Sequence, residues 1–393
     1  MERLIKKYSK KLVEHGLCNE GSPLIGGLEV ELIWNKKDPS RKILEKVINS
    51  LNITSILFAE PAEPYFSILN YLSFKANELT IHPKDCETRT FLHDIPVSLK
   101  FEANSIIKIL KNRKSVIIPK HGIITIGTIS PEQTFIVYSS VCFALFVKFF
   151  DDYYYSITSN NINEQQKTIF NQTIDYYKNF ISKIKKVSST NNISLKKEDE
   201  VIKSIIKTGK LTVDCLMVDS FFGNISYKLK KSIYISQTGS SLDELIGCID
   251  KCPINQSSCA AITASSEFSA HKDIYLNTKN KAILHGHPKF CVIMSLLCRK
   301  NNCKFKGQCH IKCPEKRYAK DIPIVSGEVG TGIFGLYRTL PPAIKNKRGV
   351  IVYGHGLFIA DKYSLENTFN NLIDIETMCL NLYLEKVKEN NAI

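Results

Sequence analysis

Two histidines flank a glycine at His285-Gly286-His287, and a lone histidine stands downstream in Tyr353-Gly354-His355-Gly356. On an extended segment, side chains at i and i+2 point to the same face, so both imidazoles can meet one ion while Gly286 points away. A third imidazole from elsewhere completes a set of neutral nitrogen donors. Such a set leaves zinc or a similar divalent ion with an open coordination position, the arrangement of a catalytic rather than a structural metal. Nine histidines in 393 residues also give an H-x-H by chance, so the neighbouring residues must carry weight.

Upstream, polar residues follow in order: Gly223-Asn224-Ile225-Ser226, then Gln237-Thr238-Gly239-Ser240-Ser241, then Ser265-Ser266-Glu267. Small hydroxyl and amide side chains beside glycine leave backbone N–H groups open to phosphate oxygens. Each run alone also reads as a cap or a turn. Together, just ahead of a triad, they point to a phosphorylated substrate. Glu267 is a candidate general acid/base for a carbon acid polarised by the metal. Its bland alternative is a helix-start glutamate.

These residues sit in the second of two similar halves. The polar, lysine-rich stretch from Asp175 to Lys207, centred on Ser188-Ser189-Thr190-Asn191-Asn192, reads as the boundary. The expected domains are 1–190 and 200–393. Leu79-Thr80-Ile81-His82-Pro83 mirrors Ile283 to Pro288, and Pro119-Lys120-His121-Gly122 with its strand mirrors Tyr353 to Ala360. Ala62-Glu63-Pro64 mirrors Ser266-Glu267-Phe268, and Gly26 to Leu32 mirrors Gly223 to Leu229. A tandem repeat of one α/β unit follows, with helix, short strands and helix in each. Only His82 and His121 match the triad in the first half, which therefore reads as a scaffold copy.

The quoted motifs resemble the class II aldolase/adducin family, which includes fuculose-phosphate and rhamnulose-phosphate aldolases. The match covers most of residues 205 to 390, with a degenerate copy over roughly 10 to 180. The resemblance implies two tandem three-layer α/β/α domains, each with a central, mostly antiparallel sheet. It implies His285, His287 and His355 as ligands of zinc or another divalent ion, and Glu267 as the residue that takes and returns a proton. Asn224, Ser226, Thr238, Gly239, Ser265 and Ser266 resemble the phosphate pocket. The implied reaction is retro-aldol cleavage of a phosphorylated ketose through an enediolate. Sugar-phosphate dehydratases, epimerases and non-catalytic adducin-like modules share the family. Epimerases of the group usually carry aspartate at the Glu267 position, which favours aldolase or dehydratase, and the complete triad argues against an adducin-like module. Family tetramers suggest a homodimer that builds a pseudo-four-fold ring. A second proton donor in the family often comes from a neighbour's C-terminal region, where Tyr383 is available, and Glu328 is a reserve.

Composition sets the remaining bounds. With 44% hydrophobic and 23% charged residues the chain reads as ordinary globular protein rather than disordered. The run Thr134 to Phe150 is interrupted by Lys148 and reads as a buried helix, so no membrane partner is expected. The N-terminus lacks a signal-peptide pattern, which implies a cytoplasmic protein. Thirteen cysteines then read as thiols or metal ligands rather than disulfides. Cys298, Cys303, Cys309 and Cys313, in an insertion spanning 298–313, read as a second site for structural zinc or an iron–sulfur cluster, or else as free thiols or a redox pair. Cys291 reads as core. The net charge of +15 comes from lysines spread along the sequence, which suits anionic substrates and argues against nucleic acid.

Overall fold

The computed structural model describes residues 1–187, 194–218, 221–255, 257–298, 300 and 302–391. The expected boundary centre, Ser188 to Asn192, lies outside the described residues. The chain falls into two compact units, Met1–Lys178 and Asn179–Ile393.

The first unit contains α1 (Glu2–Glu14), β1 (Leu24–Leu28), β2 (Leu32–Trp34), α2 (Arg41–Ser50), β3 (Ser55–Ala59) and α3 (Tyr65–Lys75). Then come β4 (Thr80–Ile81), α4 (Cys86–Leu92), β5 (Ile95–Pro96), α5 (Ala103–Leu110), β6 (Ser115–Ile118), β7 (Gly122–Gly127) and α6 (Pro131–Thr158). Helix α7 (Glu164–Lys183) follows. The main sheet has the order β2-β1-β3-β7-β6, all antiparallel. Leu44, Val47, Ile48, Ile106 and Leu110 of α2 and α5 pack on Leu24, Ile56, Val116 and Ile124.

Helix α6 begins with Pro131 in its first turn, where a missing N–H costs nothing. Its apolar residues run all round instead of forming one stripe, the pattern of a buried helix. Among the described residues it is the helix long and apolar enough to cross a membrane, yet 83% of its most apolar window is buried. It is the core helix of its unit.

The second unit contains α8 (Glu198–Asp214), β8 (Asn224–Leu229), β9 (Ser232–Ser236), β10 (Ile249–Pro253), α9 (Phe268–Asn277), β11 (Ala282–Gly286) and α10 (Lys289–Leu296). It continues with β12 (Arg317–Ala319), β13 (Ile322–Val325), α11 (Leu336–Ile344), β14 (Gly349–Val352), β15 (Gly356–Asp361) and α12 (Leu365–Asn391). Its eight strands run β10-β9-β8-β11-β15-β14-β13-β12, with β13 and β14 the parallel pair. Ile283, Val350, Val352, Phe358 and Ala360 face Ile274, Tyr275, Leu336, Leu340 and Ile344 of α9 and α11. Their neighbours Leu284, Ile351, Leu357 and Ile359 are equally buried, and α12 packs on β11 and β15. Strands covered on both faces read as continuous apolar runs, as Val350-Ile351-Val352 and Leu357-Phe358-Ile359-Ala360 do.

The order β2-β1-β3-β7-β6 repeats β9-β8-β11-β15-β14 with the same pairing sense. Register places Phe58 opposite Leu24 and Ile124, and His285 opposite Asn224 and Phe358. Phe58-Ala59-Glu60-Pro61 therefore occupies the place of His285-Gly286-His287-Pro288. This corrects the expectation for Leu79 to Pro83: Thr80–Ile81 pairs with Ile95–Pro96 in a separate two-stranded sheet. An apolar pair before His-Pro is a short local pattern, whereas long-range pairing of β3 with β7 decides which strand is central.

Gly356 marks the closest approach in the second sheet. A Cβ there would lie 2.5 Å from the Gly286 carbonyl oxygen and 2.7 and 2.8 Å from the His287 and His285 rings. Gly356→Ala should destabilise the protein by about 1–3 kcal/mol through overpacking, read as a lower urea midpoint at unchanged slope.

Candidate metal centre

Three elements deliver the histidines. His285 lies near the end of β11, and His287 follows it in chain whose N–H donates to the Met217 carbonyl at 2.9 Å. His355 sits in the tight turn between β14 and β15, after Gly354 at φ 58, and its N–H donates to the Val352 carbonyl at 3.1 Å. The left-handed φ is why glycine precedes the histidine.

The three rings converge. His285 Nε2 is 3.0 Å from His287 Nε2 and 3.1 Å from His355 Nε2. The candidate ligand atoms all lie within 4.8 Å of one another, and all three residues are buried. His285 Nδ1 is 3.2 Å from the Leu357 carbonyl oxygen, which can only accept. The hydrogen is therefore on Nδ1, and the Nε2 lone pair faces the other two rings. Phe358 stacks on His285 at 4.0 Å and Phe222 on His287 at 5.9 Å.

Glu267 joins them from the residue preceding α9. Its Oε2 accepts from Asn224 Nδ2 at 2.6 Å, and its Oε1 is 3.3 Å from His355 Nε2. Oε1 and Asn224 Oδ1 are buried without a hydrogen-bond partner among the described residues. Burial pushes His285 down to about 4, and pushes His287 well below the ordinary imidazole range. Burial would raise the Glu267 carboxyl, but the facing His285 and His355 rings and the Asn224 amide outweigh it and hold the group ionised. Three converging imidazole nitrogens and a buried carboxylate oxygen without a hydrogen-bond donor form a set that a divalent cation would satisfy. The residues fit such an ion.

Helix α10 brackets this arrangement. It starts directly after His287-Pro288, and its Ser295 hydroxyl accepts the Gly354 N–H at 2.8 Å, one residue before His355. Glu376 of α12, fully buried, accepts the first N–H groups of α10, from Phe290 at 2.8 Å and Cys291 at 2.9 Å. A carboxylate there satisfies donors that the helix leaves open and complements its dipole.

Of the residues expected to hold phosphate, the structure brings four together. An isolated bridge joins Gln237 to Ala264, the Thr238 N–H donates to the Thr263 carbonyl and the Ser265 N–H to the Ser236 carbonyl. Thr238, Gly239 and Ser266 are exposed on these adjoining loops; Ser265 is buried, its hydroxyl 3.3 Å from the Glu267 N–H. Ser226 is different. It is fully buried, with its hydroxyl 2.7 Å from both His271 Nδ1 and Tyr275 Oη, so it is internal framework and not a ligand contact. Asn224 is engaged with Glu267.

The triad forms a group of three convergent metal-binding side chains, and Cys298, Cys303, Cys309 and Cys313 form none among the described residues. Cys298 follows the end of α10 while the others lie along an irregular turn segment, where Cys309 Sγ approaches the Phe305 carbonyl instead. Tyr383 is fully buried against Phe290 and cannot reach outward as a proton donor. Glu328 is exposed, its backbone bridging to Gly335, with no contact to the triad among the described residues. Cys291 is core.

Sequence reasoning missed His271, Ser295 and Glu376. Glu267, His271 and Tyr275 recur at four-residue spacing, which places them on one helix face. Glu376 interrupts the buried stripe Phe369, Leu372, Cys379, Leu380 and Tyr383 at a core position, a signal of a satisfied buried acid. Ser295 had no comparable signal.

The family described as "Class II Aldolase and Adducin N-terminal domain" matches residues 203–383. The second unit belongs to the class II aldolase and adducin family. This half of the chain has the class II aldolase fold. Similar solved structures include an L-fuculose-1-phosphate aldolase from Thermus thermophilus, 18% identical, covering 48% of this chain and 92% of that one at a TM-score of 0.37. YgbL from Klebsiella pneumoniae, a putative aldolase/epimerase/decarboxylase, is 17% identical over 50% of this chain and 99% of its own, at 0.40. A sugar-phosphate aldolase from Thermotoga maritima is 19% identical over 48% and 94%, at 0.35. No curated protein matches the chain.

Two outcomes follow from this geometry. Ser295→Ala leaves the buried Gly354 N–H without its acceptor, so stability should fall by about 1–3 kcal/mol, and affinity for an added divalent ion, measured by chelator competition, by about 10–100-fold. Burial lowers His271 to about 3 as well. Below about pH 6.5 the unfolded chain binds protons that buried His271, His285 and His287 refuse. Stability of the metal-free protein should therefore fall as pH drops from about 6.5 towards 4, with Glu267 adding a loss in the same direction below about 4.5. Urea midpoints across that range check the sign, and His271→Gln should flatten the slope.

Proposed function

We propose that the second unit is a metal-dependent lyase that cleaves a phosphorylated ketose by retro-aldol chemistry. The observation that carries this reading is the convergence of three buried imidazoles beside the buried, ionised Glu267 carboxylate, whose oxygens lie 3.3 Å from His355 Nε2 and 3.6 Å from His285 Nε2. His285, His287 and His355 would hold zinc or another divalent ion, which when bound supplies electrophilic polarisation of a substrate carbonyl.

The remaining steps belong to the chain's own side chains. Glu267 Oε1 accepts a proton from the substrate hydroxyl as the carbon–carbon bond opens, and returns it to the carbon left behind. Asn224 fixes the carboxylate by its bond to Oε2, so Oε1 faces the substrate. The Gly239 and Ser266 N–H groups and the Thr238, Ser265 and Ser266 hydroxyls would meet a phosphate, on loops that the Thr238 and Ser265 N–H groups tie together beside the Glu267 backbone. Burial of the triad keeps water from competing for the proton.

A dehydratase or epimerase of the same fold would use the same proton transfer, and detection of released triose phosphate separates them. We further infer that residues 1–190 are a tandem three-layer copy serving as scaffold for a catalytic domain at 200–393, and that the protein works as a homodimer. The shared strand order and register support the duplication. An active monomer by light scattering would remove the dimer.

A screen of sugar phosphates with coupled detection of triose phosphate tests the reaction. Glu267→Gln should lower turnover by about 10²–10⁴-fold while bound metal is retained. His285→Ala should release the metal; full retention would place the ion elsewhere and sink the mechanism.

A further inference from the structure

The second unit carries two adjoining cavities away from the triad. One, of about 790 Å³, is lined by Lys279, Lys345, Lys347, Arg348 and Lys362. The amides of Asn280 and Asn371 also face it. The other, of about 770 Å³, shares Lys345 and Lys347 and adds Lys312, Lys316, Arg317 and Arg338. Its wall includes Ile333, Phe334 and Pro342, and Ile333 is 74% exposed. Each cavity is of a size that holds a small molecule.

The charges around these cavities are unbalanced. None of these cations takes part in an ion pair among the described residues. Of the acids lining the cavities, Glu315 is taken by Lys300. Asp361 is committed through Oδ1 to the N–H groups of Tyr363 and Ser364, at 2.8 and 2.9 Å. Cations that outnumber the acids among them repel one another, and a bound anion relieves that repulsion.

The place is distinct from the triad. Strand β15 begins beside His355 and ends at Asp361 in the first cavity, and α9 begins directly after Glu267 and ends at Asn277 on the same cavity. A strand of that length spans roughly 15–20 Å, so the substrate of the triad cannot occupy both.

We propose that the two cavities form one binding site for a ligand that joins a polyphosphate to a flat, weakly polar ring, the chemical class of nucleoside triphosphates. The phosphates lie in the polar cavity towards Lys279, Arg348 and Lys362. Lys345 and Lys347 stand at the junction. The ring lies on Phe334, Ile333 and Pro342, where an apolar face can be covered. A ligand without the ring would leave the apolar wall unused, and one without the phosphates would leave the cations unmatched.

Isothermal titration of the full-length protein with adenosine triphosphate, inorganic tripolyphosphate and a single-stranded oligonucleotide tests the proposal. Wild type should bind the nucleotide, and Lys345→Gln/Lys347→Gln should weaken binding about tenfold with an unchanged circular dichroism spectrum. Phe334→Ala should weaken the nucleotide and leave tripolyphosphate unaffected. His285→Ala should leave both unaffected. Absence of nucleotide binding, binding that ignores the lysine substitutions, or its loss in His285→Ala would overturn the site. Equal affinity for tripolyphosphate and nucleotide would overturn the ring's place, and much tighter binding of the oligonucleotide would replace the small ligand with a nucleic acid.

Discussion

The triad depends on a close approach of two backbones. Strand β15 leaves its turn against the end of β11, and only hydrogen fits on the Gly356 Cα, facing the Gly286 carbonyl and both neighbouring imidazoles. That contact sets the distance from His355 to His285. The antiparallel register beyond it, with His285 opposite Phe358 and Asn224, then places a stacking ring on one side and the Glu267 amide partner on the other. Interiors are packed too densely for such a separation to drift.

Burial disfavours the charged form of both kinds of titratable group in this space. It keeps His285 and His287 neutral, while at Glu267 the facing rings and the Asn224 amide outweigh it and hold the carboxylate ionised. Behind them lies a fully buried chain of Ser226, His271 and Tyr275, and Glu376 anchors α10 on the far side. A site with one free carboxylate oxygen thus rests on polar groups that are mostly satisfied, as a buried network must be if it is to stay rigid.

The first unit shows what the same strand order does without those groups. Phe58 stands at the register position of His285, its ring 4.9 Å from Phe101, which in turn lies 5.6 Å from the His121 ring. His121 precedes Gly122 as His355 precedes Gly356, and Gly122 likewise has no room for a Cβ against Ala59. The same backbone crossing is present, with apolar contact at the register position of His285.

The sequence by itself determined the donors. His285-Gly286-His287 on an extended segment, His355 in a glycine turn and Glu267 ahead of a helix follow from side-chain alternation and turn chemistry, which are local. It also made α6 legible, because a helix apolar on every side has nowhere to go but inward. Partnership was decided only by tertiary structure. Asn224 and Ser226 are two residues apart and look alike in sequence, yet pairing on both sides of β8 turns one to Glu267 and the other to His271. The cysteines are close in sequence and form no group of three metal-binding side chains among the described residues, where they lie along an irregular segment without sheet pairing. Lysines scattered from Lys279 to Lys362 line two adjoining cavities, since helix and strand ends distant in the chain meet at one end of a sheet. Local chemistry reads along the chain, and long-range register does not.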